Sequence, residues 1–219
     1  MIDLYTWDTP NGFKISIILE ELLWKYKLFE VDISKGEQFA PKFLKISPNN
    51  KVPALIDWDG PDGEPIEIFE SGAILIYLAN KAGRFISDNS YQHMKEIQWG
   101  MFQMREIGPI FGQVHHYRKL QGIECSYERL RYIRKTREIY ELLDKRLLES
   151  EFIAGSEYSI ADIAIWPWIS RFEWHQIDLD EFPHLRRWFE VIWSRPAVKR
   201  GRCIPRGGFA WSSAFDDHV

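Results

Sequence analysis

At 219 residues the chain has room for one large domain or two small ones, and it can bury a sizeable core either way. Its 45% hydrophobic and 27% charged residues are ordinary for a soluble globular protein. The 28 Lys and Arg against 32 Asp and Glu leave a net charge of −4, which argues against the clustered basic excess of a nucleic-acid or anionic-membrane binder. The basic run at 129–137 is flanked by Glu128, Glu138 and Glu141 and reads as a solvated helix face. The two cysteines, Cys125 and Cys203, lie far apart, which argues against a disulfide framework and for a reducing compartment. The start, Met1-Ile2-Asp3-Leu4, has no basic segment ahead of an apolar core, and no apolar run reaches bilayer length. A cytoplasmic protein is the expectation.

Residues 1–83 alternate strand and helix signals. Ile2-Asp3-Leu4-Tyr5-Thr6-Trp7 has the period-two pattern of a strand. Thr9-Pro10 opens a helix, with Thr as N-cap, Pro at the first helical position, and Phe13, Ile17, Ile18, Leu22 and Leu23 at helical spacing. Phe29-Glu30-Val31-Asp32-Ile33 predicts a second strand, giving a βαβ unit with parallel strands. Pro53-Ala54-Leu55-Ile56-Asp57 and Ile66-Glu67-Ile68 flank a loop rich in Asp, Gly and Pro and predict a hairpin. A helix over 71–81 ends at Gly83. This order describes a small mixed sheet with helices on both faces, and a thioredoxin-like domain is the simplest such architecture.

Beyond a linker at 84–90 the strand signals stop. Amphipathic segments run over 91–118, 126–148, 160–175 and 185–194, predicting an all-α domain over 91–205. Ser159-Ile160-Ala161-Asp162 is a capping-box variant, with Tyr158 and Ile163 placed as a hydrophobic staple. Most of the 10 Trp lie in this half, where large rings suit helix packing and an apolar cleft equally. The segment from Gly201 onward, with the tail proper at 206–219, has a Gly- and Ser-rich composition that predicts a mobile or late-docking end.

Three segments of the first half carry chemistry. In Ser47-Pro48-Asn49-Asn50-Lys51-Val52-Pro53 the strand-opening proline cannot donate a ladder bond. A cis Val52-Pro53 bond would present the Val52 backbone to an extended peptide ligand, and an ordinary turn fits the same letters. Phe69-Glu70-Ser71-Gly72 stands at a strand-to-helix junction, where unsatisfied N–H groups hold a carboxylate. Ser71 would add a donor and Glu70 an acceptor for an ammonium, matching the α-amino acid end of a γ-glutamyl group; a plain N-cap reads as well. In Thr6-Trp7-Asp8-Thr9-Pro10-Asn11-Gly12, a sulfur at the helix N-terminus would have its pKa lowered. The Asn11 amide and Thr9 hydroxyl are neutral donors for such an anion. No cysteine lies in this half, so a protein-thiol nucleophile is excluded; Tyr5 is a phenol candidate that serves equally as core.

With these stretches, Lys35-Gly36-Glu37-Gln38-Phe39 and Tyr158-Ser159-Ile160-Ala161-Asp162-Ile163-Ala164 in order, the chain resembles the cytosolic glutathione transferases over nearly its whole length. It is most similar to the nu-class bacterial disulfide reductases and to fungal relatives of the yeast nitrogen-regulating prion protein. The resemblance implies a thioredoxin-like domain plus an all-α domain, glutathione as cosubstrate, no metal, and a homodimer. It implies that Val52 and cis Pro53 pair with the cysteinyl backbone, and that Glu70 and Ser71 hold the γ-glutamyl end. Gln38 and Lys51 would reach the glycyl carboxylate or neighbouring backbone, and Asn11, aided by Thr9, would face the sulfur as the catalytic pair. Arg131, ahead of the nearby Arg129 and Arg134, would approach a bound disulfide or second glutathione, and Gly112-Gln113-Val114-His115-His116-Tyr117 would line the cleft.

The activity so implied is thiol–disulfide exchange by bound glutathione, with peroxidase activity beside it. Conjugation of glutathione to hydrophobic electrophiles, with Trp7, Phe13, Phe111, Tyr117, Trp166 and Trp174 as candidate pocket rings, is the alternative enzyme reading. A glutathione-binding regulatory protein is the third, although the chain lacks the Asn/Gln-rich N-terminal extension of the prion-like relative.

Overall fold

The computed structural model describes residues 1–120 and 126–206. In the N-terminal half it places β1 (Ile2–Thr6), α1 (Pro10–Leu22), β2 (Tyr26–Glu30), α2 (Pro41–Ile46), β3 (Ala54–Asp57), β4 (Ile66–Phe69) and α3 (Ser71–Ala82). The sheet runs in the order β2-β1-β3-β4, with β1 and β2 parallel and the other pairs antiparallel. The strand period of two divides its side chains. Ile2, Leu4 and Leu55 join the main core with Phe13, Leu19, Leu75 and Leu78 of α1 and α3, while Ala54, Ile56 and Val31 cluster with Phe43 and Ile46 of α2. Tyr5 stacks on Phe29 at 4.6 Å between ring centroids and packs against this second cluster, so the mid-strand tyrosine is a packing residue.

The second strand lies three residues earlier than the sequence predicts. Parallel pairing of Ile2 with Tyr26 fixes its register, and as an edge strand with exposed Lys27, Leu28 and Glu30 it carries little periodic apolar signal. The buried Val31 that suggested the later position sits just past the strand, its N–H donating to the Thr6 carbonyl at 3.0 Å.

α1 is buried almost all round, with Phe13, Ile15, Ile17, Ile18 and Leu19 at 0–1% exposure, because it lies between the sheet and the helical half. The helical half comprises α4 (Ser90–Phe102), a π-turn at Gln103–Ile107, α5 (Gly108–Lys119), α6 (Tyr127–Leu148), α7 (Ile160–Ile169), α8 (Pro183–Trp193) and α9 (Pro196–Arg202). α7 opens on the expected capping box. It ends at Ile169, short of the predicted 175, where the Ser170 hydroxyl turns back onto the Pro167 carbonyl at 2.8 Å and the chain tightens into a 3-10 turn at Phe172–His175.

Of the two expectations for the segment from Gly201, mobile or late-docking, α9 shows its start docked against α1. Its Gly201 carbonyl accepts from Ser16 Oγ of α1 at 2.6 Å, and a Cβ on Gly201 would stand 2.6 Å from the Ile17 Cα. That glycine is a close-approach residue between two helices rather than a signal of looseness. Residues 207–219, and Cys125, lie outside the described residues.

Candidate active site

Strand register gathers the three candidate segments at one end of the sheet. Tyr5, next to the end of β1, pairs with Ala54 at the start of β3, and Ala54 pairs with Phe69 at the end of β4. The turn into α1, the Val52-Pro53 segment and the Glu70-Ser71 junction therefore share one rim. Thr6 also pairs with Glu30, which brings the segment leading to Gln38 to the same rim.

Thr9 caps α1, its Oγ1 accepting from the Gly12 N–H at 3.0 Å, which leaves the hydroxyl proton for another acceptor. Asn11 Oδ1 accepts from the indole Nε1–H of Trp168, on α7, at 3.2 Å. An indole nitrogen only donates, so the amide must present its oxygen to Trp168 and keep its NH2 group for whatever faces it. Asp8 beside them is neutralised by Arg171 at 2.9 Å.

Three arginines of the helical half surround this first turn, a feature that sequence spacing does not reveal. Arg171 and Arg202 lie over the Phe13 ring at 5.8 and 4.2 Å, and Arg206 lies over Trp7 at 4.1 Å. Burial and the neighbouring Arg171 bring the Arg202 guanidinium down to about 10, so it stays charged at neutral pH. With the helix N-terminus they make the turn a place that favours an anion, a thiolate included.

On the second segment, Val52-Pro53 is cis, as expected. Ser47 Oγ shapes the turn, donating to the Lys51 carbonyl at 2.8 Å and accepting from the Lys51 N–H at 3.3 Å. The Val52 N–H and C=O take no hydrogen-bond partner among the described residues. Gln38 Oε1 is also buried and unpartnered there, while the Lys51 side chain is exposed.

Glu70 has φ 69° and ψ 112°, a positive-φ conformation that a residue with a Cβ adopts only against resistance, and it turns the chain sharply into α3. No side chain caps α3, so its first turn is open to an anion. Ser71 is 5% exposed, and its Oγ accepts from the Nζ of Lys14 at 3.2 Å.

α6 packs along α5, with Tyr117 and Tyr132 stacked at 5.9 Å, which carries 129–134 beside the segment 112–117. Arg131 is exposed and, among the described residues, no hydrogen bond or ion pair ties it to the rim; Arg134 reaches Glu138 at 3.8 Å. Arg131 is thus not brought together with the other candidates by any contact in the structure.

His115 of the lining segment belongs to a buried chain. The Tyr140 hydroxyl meets His175 Nδ1 at 2.8 Å and His175 Nε2 meets His115 Nε2 at 2.9 Å. His115 stacks on Trp168, the ring that holds Asn11, at 5.8 Å. Burial first, then Arg171, holds the His115 imidazole down at about 4; burial, His115 and Arg171 push His175 well below its usual range. Both rings are neutral at pH 7. The unfolded chain binds these two protons on acidification and the native state resists them, so stability from this pair is present above about pH 6.5 and is lost as pH falls towards 4. His175→Phe is expected to flatten that dependence. Urea midpoints for both proteins at pH 7 and 4.5 check it, and equal acid losses would refute it.

Among the described residues no group of His, Cys, Asp or Glu stands ready to hold a metal ion, and no helix is long and apolar enough to cross a membrane. Residues 2–80 match the model of the glutathione S-transferase N-terminal domain and residues 126–190 that of the C-terminal domain. The disulfide-bond oxidoreductase YfcG of Escherichia coli is 47% identical over 90% of this chain and 93% of its own length, and YghU of the same organism is 36% identical over 94% and 75%. A glutathione transferase from Pseudomonas putida, solved with one glutathione disulfide per subunit, superposes with a TM-score of 0.88 at 40% identity, covering 93% of this chain and 91% of that one. One from Burkholderia graminis, with two glutathione molecules per subunit, has a TM-score of 0.87 at 42% identity over 94% and 88%. By sequence and fold together, the chain belongs to the glutathione S-transferase family.

Proposed function

We propose that the protein is a glutathione-dependent thiol–disulfide oxidoreductase in which bound glutathione supplies the attacking sulfur. The observation that carries this reading is the rim itself. It combines an uncapped helix start at Ser71, unpaired backbone at Val52 and an outward amide at Asn11, with no cysteine in the half that holds them. Glu70 and Ser71 take the γ-glutamyl ammonium and carboxylate, Val52 beside Pro53 pairs with the cysteinyl backbone, and Gln38 and Lys51 take the glycyl end. Asn11 and Thr9 donate to the sulfur, and the surrounding arginines lower its pKa. Arg131 steadies the disulfide or second glutathione.

The thiolate attacks one sulfur of a small disulfide, forming a mixed disulfide with glutathione and expelling a thiolate that takes a proton from water. A second glutathione attacks the mixed disulfide at its glutathionyl sulfur. Two glutathiones are oxidised to glutathione disulfide and one disulfide is reduced to two thiols. The relatives named for disulfide-bond oxidoreduction and the neighbour holding glutathione disulfide support this assignment. The protein acts in the cytoplasm as a homodimer; exposed Tyr91 and Met94 of α4 and Phe69 on the edge strand support pairing through these faces.

A second reading, conjugation to apolar electrophiles, is favoured by the aromatic wall of Trp168, His115 and Trp174 beside Asn11. Rates on 2-hydroxyethyl disulfide and on a chlorodinitrobenzene, measured at equal glutathione, separate the two. Disulfide reduction is expected to dominate; faster arylation with negligible reduction would reverse the assignment.

A further inference from the structure

Lys14 is the one charged residue in the run Phe13–Leu19, and it is wholly buried at 0% exposure. A lysine is almost never fully buried without partners that use its ammonium hydrogens. Here three acceptors surround Nζ: Ser71 Oγ at 3.2 Å, the Met104 thioether sulfur at 3.7 Å and Gln103 Oε1 in close contact. Two of them come from the π-turn, whose extra residue swings Gln103 and Met104 in under the start of α3. Gly72 admits Met104, since a Cβ there would lie 2.8 Å from the Met104 Cε. Both halves of the molecule thus converge on one ammonium group, placed directly behind Ser71.

The consequence lies in the serine hydroxyl. A hydroxyl has one hydrogen to donate and rotates to suit its neighbours. An ammonium has hydrogens only, so toward a protonated Lys14 Ser71 Oγ acts as acceptor at 3.2 Å, and its own hydrogen is free for another acceptor; the protein acceptor in reach is the weak Met104 sulfur at 4.0 Å. We infer that Lys14 is a positioning residue for glutathione, holding Ser71 Oγ as an acceptor so that the serine hydrogen is committed to the γ-glutamyl carboxylate. This rests on the placement of the γ-glutamyl group at Glu70 and Ser71. Burial pulls the Lys14 ammonium well below its usual range, and the Glu70 carboxylate opposes that shift. Lys14 touches no part of the peptide; it acts through Ser71.

Calorimetric titration with reduced glutathione tests this on the wild type, Lys14→Met, Ser71→Ala and the double variant. A second ligand, 4-aminobutanoyl-Cys-Gly, keeps the amine and lacks the carboxylate. Lys14→Met is expected to weaken glutathione about tenfold, the scale of a charge-assisted hydrogen bond, and to raise KM with little change in kcat. The same substitution should cost nothing further once Ser71 is alanine, and nothing toward the carboxylate-free peptide. Unchanged affinity in Ser71→Ala would remove the γ-glutamyl placement itself. A loss in Ser71→Ala with none in Lys14→Met would overturn the role of the lysine alone. An equal loss for both peptides would mark a purely structural lysine and also overturn it. If circular dichroism shows Lys14→Met unfolded, Gln103→Leu carries the test, because it releases Nζ while keeping the lysine. Its smaller loss should again be confined to the carboxylate-bearing peptide, and a loss for both would refute the role.

Discussion

Asn11→Ala is expected to lower kcat/KM for a small disulfide by about 10- to 100-fold, the worth of one donor to a charged sulfur. The side chain that does the holding is Trp168: its indole N–H fixes the amide oxygen at 3.2 Å, so the NH2 group faces outward without any rearrangement during reaction. Alanine removes that donor and leaves the indole N–H without its acceptor. Asn11→Asp separates the two losses. A carboxylate still accepts from Trp168 but sets a negative oxygen against a thiolate, so this variant should be at least as impaired as alanine. The thiol pKa of bound glutathione, read from thiolate absorbance near 240 nm, should rise in both. An Asp variant as active as the wild type would show that Asn11 serves only to hold Trp168.

The largest effect on stability is expected at Asp162. Its Oδ1 accepts from the Ile153 N–H at 2.9 Å and the Trp188 indole at 2.8 Å, and its Oδ2 from the Ser159 N–H at 3.0 Å and hydroxyl at 3.1 Å. The residue is fully buried, so Asp162→Ala strands several donors away from water at once. The cost should reach about 4 kcal/mol, lowering the Tm by about 10 °C for a chain of this size. Asp162→Asn keeps one acceptor oxygen but turns an NH2 group toward Ser159, and should lose about half as much. Thermal unfolding followed at 222 nm decides the matter; an Ala variant melting within a few degrees of the wild type would contradict it. Burial pushes the Asp162 carboxyl up to about 6, with its hydrogen bonds pulling the other way. The native state therefore keeps this proton where the unfolded chain has lost it. From about pH 4 to 6 this group makes the fold less stable as pH rises, opposite in sign to the buried imidazoles.

Much of this site was legible because local chemistry and tertiary role coincide. Thr9-Pro10 and Ser159–Asp162 are helix starts whose letters state their geometry, whereas the positive φ at Glu70 is not written in its residue type, and the hairpin after Pro53 is set by its loop. Where packing between distant segments decides, single-chain patterning fell silent. Asn11 could be placed at a sulfur, but that Trp168 orients it depends on contact across 157 positions. Lys14 stood in plain view inside an apolar run, and only the π-turn explains its burial. Edge strand β2 was misplaced because half its residues face solvent and carry no period. Gly201 looked like the start of a loose end because composition cannot distinguish a flexible glycine from one pressed against another helix. Arg131 was reached through resemblance, and no contact yet joins it to the rim.

The return of α9 onto α1 has a consequence for synthesis. Ser16 is synthesised 185 residues before Gly201, which lies in the helix that covers it, Pro196–Arg202. The glutathione-binding half therefore cannot reach its final packing vectorially, one domain finished before the next. It waits with an open apolar flank until Pro196–Arg202 has emerged, and the two halves mature as one cooperative unit.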